Sequence, residues 1–247
     1  MTGGARGTGL PAFLSGIAER AARGDEVLVA DVGRPDAPLL PPREEVRRSA
    51  VLMLLSGTTA EDAELVIEER GHRLRSQPGQ FSLPGGAMDP TDRDEVHTAL
   101  REAQEETGLV EGAARVLGAF APIGMPWRRQ YVTPVLAWAP ERPVLGVQDP
   151  VEVERVVWAR LQGPGSLGDP ARRLRGRLDG MDVGPAFDLP EQAFVWGFTA
   201  LILDRVLVEL GLPPVPPDAP AREVPAERRR QRPDPAPGRR VPGSAGL

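Results

Sequence analysis

The sequence has no cysteine and no lysine, and it has little histidine and few aromatic residues. Its 247 residues include two His, and 4% are aromatic. The absence of cysteine excludes disulfides, thiolate nucleophiles and cysteine-ligated zinc, and the absence of lysine excludes a Schiff-base lysine. Because His72 and His97 are the only histidines, a histidine-rich metal site is excluded as well. Any bound metal must therefore be held mainly by oxygen atoms.

Long apolar runs and a net positive charge are also missing. No apolar run approaches the ~20 residues needed to cross a bilayer, and the first residues lack the apolar block of a signal peptide. The net charge of −5 gives no global attraction for nucleic acid. We therefore expect a cytoplasmic protein that acts on a small molecule, with no nucleic-acid or membrane partner. The sequence leaves the oligomeric state open, a homodimer included.

The composition predicts one central domain with additional sequence at both ends. Residues 1–44 are expected to form a short amphipathic helix, over 10–23, followed by an irregular wrap rich in proline and glycine. Residues 45–211 form the predicted domain. From Leu212 onward proline and arginine dominate and no apolar period survives. Such a segment buries too little surface to offset the entropy of ordering, so residues 212–247 are predicted to be a disordered tail.

Hydrophobic patterning within the central domain predicts an α/β fold. Apolar runs bounded by turn residues indicate strands, which we place at 49–55, 63–69, 114–123, 129–139 and 151–161. Helical periodicity predicts helices at 94–107 and 190–210. Thr91 and Asp92, followed by Glu95, indicate a capping box at the start of the first of these helices. Gly108 supplies its end.

The helix over 94–107 is crowded with glutamates and follows a tight glycine turn. Glu102, Glu105 and Glu106 fall within a sector of roughly 100°, apart from an apolar stripe that can be buried. Like charges at this spacing destabilise a helix, a cost that makes sense if a divalent cation sits among them. Hard cations such as Mg²⁺ take oxygen ligands of this kind. The alternative interpretation is an ordinary solvated acidic face.

A basic segment precedes the glycine turn. Arg70, Arg73 and Arg75 place three guanidinium groups there. Such groups suit phosphate oxygens because they donate two parallel hydrogen bonds, although each alone is also consistent with ordinary surface charge. A basic loop beside an acidic, metal-binding helix is the arrangement that a diphosphate substrate requires.

These residues resemble the Nudix box, which consists of Gly, five residues, Glu, seven residues and then REUxEExGU, with U a bulky aliphatic residue. Gly86 and the REAQEETGL segment from Arg101 to Leu109 match it closely. Two departures fall in its first half. Asp92 replaces the first glutamate, and the gap from Asp92 to Arg101 is one residue longer than usual.

The longer loop is similar to that of one branch of the family, the coenzyme A diphosphatases. Members of this branch carry an LRxxxGQ segment, a PGG turn, a D-P-x-D loop, a TALREA segment and a late WGxTA helix. The matching segments here are 74–80, 84–86, 89–92, 98–103 and 196–200. The upstream LLTxR run of that branch differs, because Glu68 and Glu69 stand before Arg70.

The resemblance implies a Nudix-type α/β/α sandwich around a mixed sheet and a hydrolase that uses Mg²⁺ or Mn²⁺. It implies cleavage of the diphosphate of coenzyme A to 3′,5′-ADP and 4′-phosphopantetheine. The implied metal ligands are Glu102, Glu105, Glu106 and a carbonyl of Gly85 or Gly86. Arg101 is implied to orient a carboxylate through a salt bridge. Substrate contacts are expected from Arg70, Arg73, Arg75 and Gln80.

Two other interpretations stay open from the sequence. One is a Nudix enzyme that acts on NADH, a nucleotide sugar or an oxidised nucleotide, with a base-stacking pocket drawn from Phe120, Trp127, Trp138 or Trp196. The other is a non-catalytic Nudix-fold binding protein or regulator. Such proteins often lose glutamates of the box, whereas this sequence keeps all three.

Overall fold

A computed structural model describes residues 9–27, 45–74, 77–125 and 128–229. The helices are α1 (Ser15–Arg23), α2 (Glu95–Thr107) and α3 (Gly197–Glu209). The strands are β1 (Arg47–Ser56), β2 (Glu64–Arg70), β3 (Phe81–Ser82), β4 (Gly85–Ala87), β5 (Arg115–Ala119), β6 (Ile123–Met125), β7 (Gln130–Ala139), β8 (Val153–Arg160), β9 (Arg173–Leu178), β10 (Met181–Leu189), β11 (Ala193–Trp196) and β12 (Ala221–Glu223).

A mixed sheet forms the centre of the domain. β1 and β7 lie side by side in parallel, paired from Arg47 with Gln130 to Ser56 with Ala139. β2 and β4 are antiparallel to β1, and β5 and β6 are antiparallel to β7. β3 and β8 both pair with β2. The sheet is therefore mixed, as the sequence predicts.

Side-chain alternation along β1 explains why both faces of this sheet are covered. Successive residues of a strand point to opposite faces. Leu52 and Leu54 belong to one buried cluster with Ala103 of α2. Met53 and Leu55 belong to a second cluster, which contains residues of α1 and α3. The predicted α/β/α sandwich is confirmed, with α2 on one face and α1 and α3 on the other.

A second, four-stranded sheet has the order β11-β10-β9-β12. β9 and β10 form an antiparallel hairpin. β11 then pairs with β10, so the helix predicted from residue 190 begins only at Gly197. Gly197 has a positive φ of 66°, a conformation that favours glycine at this change from strand to helix.

The prediction of disorder from Leu212 is wrong for residues 212–229. β12 runs parallel to β9, and Val215 and Val224 are buried. Arg228 is also buried and forms an ion pair with the buried carboxylate of Glu69. Composition alone does not show this packing, because the partner of Arg228 lies in a strand far away in the sequence. Residues 230–247 of the predicted tail, and residues 28–44 of the predicted wrap, lie outside the described residues.

No helix in the described ranges is long and apolar enough to span a membrane.

The Arg228–Glu69 pair predicts a specific stability difference. Arg228→Ala removes one of the two arginines that pair with the buried Glu69 carboxylate and leaves Arg155 as the other. Loss of a hydrogen-bonded charge pair of this kind should lower the free energy of unfolding by about 2 kcal/mol. Arg222 supplies the matched control, because it pairs with Asp188 on the surface and its side chain is 50% exposed. Arg222→Ala should cost less than about 1 kcal/mol. Urea denaturation followed by circular dichroism measures both, and equal losses would contradict the assignment.

Candidate active site

Asp92 anchors the loop that leads into α2. Its side chain is fully buried. Each of its carboxylate oxygens accepts a hydrogen bond from Arg101, from Nε and Nη2, and both distances are 3.0 Å. Thr98 Oγ1 donates to Oδ2 at 3.0 Å, and the backbone N–H of Asp89 donates to the same oxygen at 2.9 Å. The hydrogen bonds from Arg101 lower the pKa of Asp92.

The capping box predicted for α2 is replaced by a different cap. Asp94 is the N-cap residue, and its carboxylate accepts a hydrogen bond from the backbone N–H of His97 at 2.8 Å. Asp92 was expected in this role, but its carboxylate bonds to Arg101 and to the ring of His97 instead. The end of α2 agrees with prediction, because Gly108 adopts the left-handed conformation.

The guanidinium of Arg101 connects this loop to the glutamate face of α2. Besides Asp92, it donates to Glu105 Oε2 at 2.9 Å and to Glu102 Oε1 at 3.0 Å. A further hydrogen bond of 3.0 Å reaches the carbonyl oxygen of Ala87, in β4. One side chain therefore fixes the loop, the glycine turn and two of the three box glutamates relative to one another.

The glycine turn lies directly against the glutamates. The backbone N–H of Gly85 donates to Glu106 Oε2 at 2.8 Å. A Cβ atom on Gly85 would overlap the backbone of Ala50 in β1, and one on Gly86 would overlap the carboxyl group of Glu102. At Gly85 the overlap is with backbone atoms, so only glycine allows the turn to lie this close to β1.

Glu106 is buried beside a carboxylate that sequence analysis did not select. Burial raises the pKa of Glu106, and the negative charge of Glu68 raises it further. Glu68 lies in β2, is fully buried, and accepts a hydrogen bond from Ser82 Oγ at 3.3 Å. A signal was present in the sequence: a glutamate directly follows the apolar run of a buried strand, where an unpaired charge is rare.

Glu68 lies on the face of β2 that meets α2, and Arg70 follows it at the end of the strand. Val66 belongs to the cluster beneath α2, so Glu68, two residues later on the same face of the strand, points towards α2 as well. The pairing of β2 with β8 shifts register between Glu69 and Arg70, so Arg70 is placed near Glu68 by its charge effect and not by alternation. The positive charge of Arg70 acts on both carboxylates, because it lowers the pKa values of Glu68 and Glu106. Glu69 points to the opposite face and pairs there with Arg155 and Arg228.

The other predicted substrate residues are placed less centrally. Arg73 is exposed. Gln80 uses its side-chain N–H to donate to the carbonyl oxygen of Arg228 at 3.1 Å, which ties the end of the basic loop to the C-terminal segment. Arg75 lies outside the described residues. The substrate roles of these three residues stay predictions.

The carboxylates together form an all-oxygen donor set, which suits a hard divalent cation. Glu102 is half-buried, and burial raises its pKa. An exposed carboxylate, Glu152, is close enough to raise the pKa values of Glu68 and Glu102. Within the described ranges no three acidic or histidine side chains already stand at metal-ligand spacing. The box glutamates instead bond to the chain itself, Glu102 and Glu105 to Arg101 and Glu106 to Gly85.

Comparison with known proteins assigns the family. The NUDIX domain profile matches residues 46–173. The chain is 31% identical over 181 residues to the Escherichia coli protein "Uncharacterized Nudix hydrolase NudL", covering 70% of this chain and 88% of that protein. It is 29% identical over 185 residues to "Probable nudix hydrolase C6G9.05" of Schizosaccharomyces pombe, covering 74% of this chain but only 62% of the relative. The chain therefore belongs to the Nudix hydrolase family.

A solved structure with a similar fold is the Nudix hydrolase RenU from M. smegmatis. It is 24% identical to this chain, with a TM-score of 0.39, and the alignment covers 46% of this chain and 70% of RenU.

The buried Asp92 carboxylate predicts a pH-dependent loss of stability. Asp92→Asn removes the charge that Arg101 pairs with and should lower the free energy of unfolding by about 1–3 kcal/mol at pH 7. Because the pKa of Asp92 is lowered in the folded protein, its contribution is fully present above the unfolded pKa of ~3.9 and is lost as the pH falls below it. The difference in the free energy of unfolding between the wild type and Asp92→Asn should therefore stay constant from pH 7 to 5 and become smaller below pH 4.

Urea denaturation at several pH values measures this difference. Asp94→Asn is the matched control, because asparagine caps a helix about as well as aspartate, and it should change stability little. An Asp92→Asn penalty that stays constant down to pH 3 would contradict the ionic role of Asp92.

Proposed function

We propose that this protein is a metal-dependent diphosphatase that hydrolyses coenzyme A or its thioesters to 3′,5′-ADP and 4′-phosphopantetheine or its acyl form. The observation that carries the proposal is the pairing of opposite charges on one face. Arg70 lies within electrostatic reach of Glu68 and Glu106, beside the other glutamates of α2. A diphosphate substrate needs carboxylates that hold a cation and also a guanidinium, since its oxygens bind a cation and a guanidinium at the same time.

The donor set fits Mg²⁺ or Mn²⁺, and Glu102, Glu105 and Glu106 would hold it, with a carbonyl of Gly85 or Gly86 as a further oxygen donor. Such a cation supplies Lewis-acid stabilisation of phosphate oxygens and makes water a better nucleophile at neutral pH. Arg101 acts as a positioning residue, because its hydrogen bonds hold Glu102 and Glu105.

Hydrolysis at this site forms a new bond between a water oxygen and phosphorus and breaks the bond to the bridging oxygen of the diphosphate. The proton of the attacking water passes to a carboxylate of the site. Arg70 stabilises the charge on the phosphate oxygens as this bond breaks. The chain's own residues thus contribute mainly positioning and electrostatic stabilisation, which dominate phosphoryl-transfer catalysis.

The coenzyme A assignment is supported by the loop 89–92 and by the basic segment before the glycine turn. Coenzyme A carries a 3′-phosphate besides its diphosphate, and Arg73 and Arg75 offer additional guanidinium groups for it. The loop is held by Asp92, which accepts two hydrogen bonds from Arg101. The cytoplasmic location expected from the sequence stays a prediction.

Two of the four rings named as candidates for base stacking are buried in this structure. Phe120 and Trp138 are buried in the core, and the indole N–H of Trp138 donates to the carbonyl oxygen of Gly57 at 2.8 Å. Neither ring is therefore free to stack on a base. Trp127 lies outside the described residues, and Trp196 is half-buried against the second sheet.

Product analysis on a substrate panel tests the proposal. Purified protein with Mg²⁺ or Mn²⁺ should release 3′,5′-ADP from coenzyme A at least tenfold faster than it cleaves NADH or ADP-ribose. Glu106→Gln keeps the shape of the side chain but removes a charge from the donor set, so turnover should fall by at least about 100-fold. Faster cleavage of NADH or ADP-ribose would reassign the substrate. Full activity of Glu106→Gln would refute the metal assignment.

A further inference from the structure

Glu68 combines complete burial with an unsatisfied carboxylate oxygen. Its side chain is 0% exposed. Oε1 accepts the hydrogen bond from Ser82, whereas Oε2 has no hydrogen-bond partner among the described residues. An ionised carboxylate in such a place is costly unless a cation or a donor satisfies it. The other acidic residue at this end of β2, Glu69, has its charge satisfied by two arginines.

The orientation of β2 directs this oxygen towards the glutamates of α2. Val66 belongs to the same buried cluster as Ala103 of α2, and Glu68 lies two residues further along the same face of the strand. On α2, Glu106 lies three residues beyond Ala103, which places it on the same side of the helix. Glu68 and Glu106 therefore meet where the strand and the helix leave the apolar cluster, and each carboxylate lies within electrostatic reach of Glu102 as well.

Arg70 does not balance the charges at this point. Three carboxylates, those of Glu68, Glu102 and Glu106, lie within reach of one another. Arg101 donates a hydrogen bond to Glu102. Arg70 is the arginine whose positive charge acts on both Glu68 and Glu106. When both buried carboxylates are ionised, one guanidinium leaves an excess negative charge that a divalent cation would neutralise.

We propose that Glu68 is a further carboxylate ligand of the divalent cation, contributed by β2 from outside the REAQEETGL segment. This inference rests on the proposed metal-dependent function and deepens it. The cation would then be held between α2 and β2, and the unsatisfied Oε2 would become one of its oxygen donors. Ser82, which precedes the glycine turn, would orient the other oxygen of the same carboxylate.

Metal binding and apo stability respond in opposite directions to loss of this charge. In Glu68→Gln, isothermal titration calorimetry with Mn²⁺ should show a dissociation constant at least tenfold higher than that of the wild type. Without metal, the same variant should unfold at a temperature equal to or higher than that of the wild type, because a buried and repelled charge has been removed. A residue that only supported the fold would lose stability and leave the metal affinity unchanged.

Glu69→Gln is the matched control, since it makes the same chemical change one residue along the strand but on the opposite face. Its carboxylate pairs with Arg155 and Arg228 and does not face α2. This variant should unfold at a lower temperature without metal, while its Mn²⁺ dissociation constant stays within about twofold of that of the wild type.

The outcomes separate this inference from the proposed function. If Glu68→Gln binds Mn²⁺ as tightly as the wild type while Glu106→Gln does not, Glu68 is only a counter-ion of Arg70 and the inference is overturned. If the wild type itself binds no Mn²⁺, the proposed function and the inference about Glu68 both fail. Weak binding by both Glu68→Gln and Glu106→Gln, with normal binding by Glu69→Gln, supports both.

Discussion

The ion pair between Asp92 and Arg101 is the interaction on which the candidate site depends. Both nitrogens that bond to Asp92 are held at 3.0 Å, and the aspartate side chain is fully buried. Because the same guanidinium also reaches Glu102, Glu105 and the carbonyl of Ala87, the glutamate face cannot shift without disturbing the loop. A planar donor with a fixed geometry suits this task better than a lysine ammonium would, and the chain contains no lysine.

The fold places carboxylates where they oppose its stability. Glu68 and Glu106 are buried near one another, and burial raises the pKa of each. Burial and mutual repulsion both disfavour the ionised forms, so a core of apolar residues at these positions would be more stable. Such local conflicts between stability and sequence are typical of functional sites. In the proposed function a divalent cation neutralises these carboxylates. The folding free energy lost to their burial and repulsion then favours binding of the metal.

Local patterns were sufficient to predict the sandwich and the glutamate helix, because α2, β1 and β2 have strong periodicity and clear end signals. The missed features all depend on partners distant in the sequence. β11 lies within a run of helical periodicity but pairs with β10. Arg228 lies in a proline-rich segment but meets Glu69, 159 residues earlier. Asp92 resembles a helix cap until Arg101 occupies its carboxylate. In the sequence Glu68 differs from the LLTxR run and nothing more, because its role depends on which face of β2 meets α2.

If a divalent cation relieves the repulsion among the buried carboxylates, Mn²⁺ should stabilise the folded wild-type protein. A ligand that binds only the folded state raises its stability with ligand concentration. The midpoint of thermal unfolding should therefore rise by several degrees as Mn²⁺ is increased from micromolar to millimolar, and NaCl at matched ionic strength should not reproduce the rise. A midpoint that stays constant in Mn²⁺, or that rises equally with NaCl, would mean that no cation bound among these carboxylates relieves their repulsion.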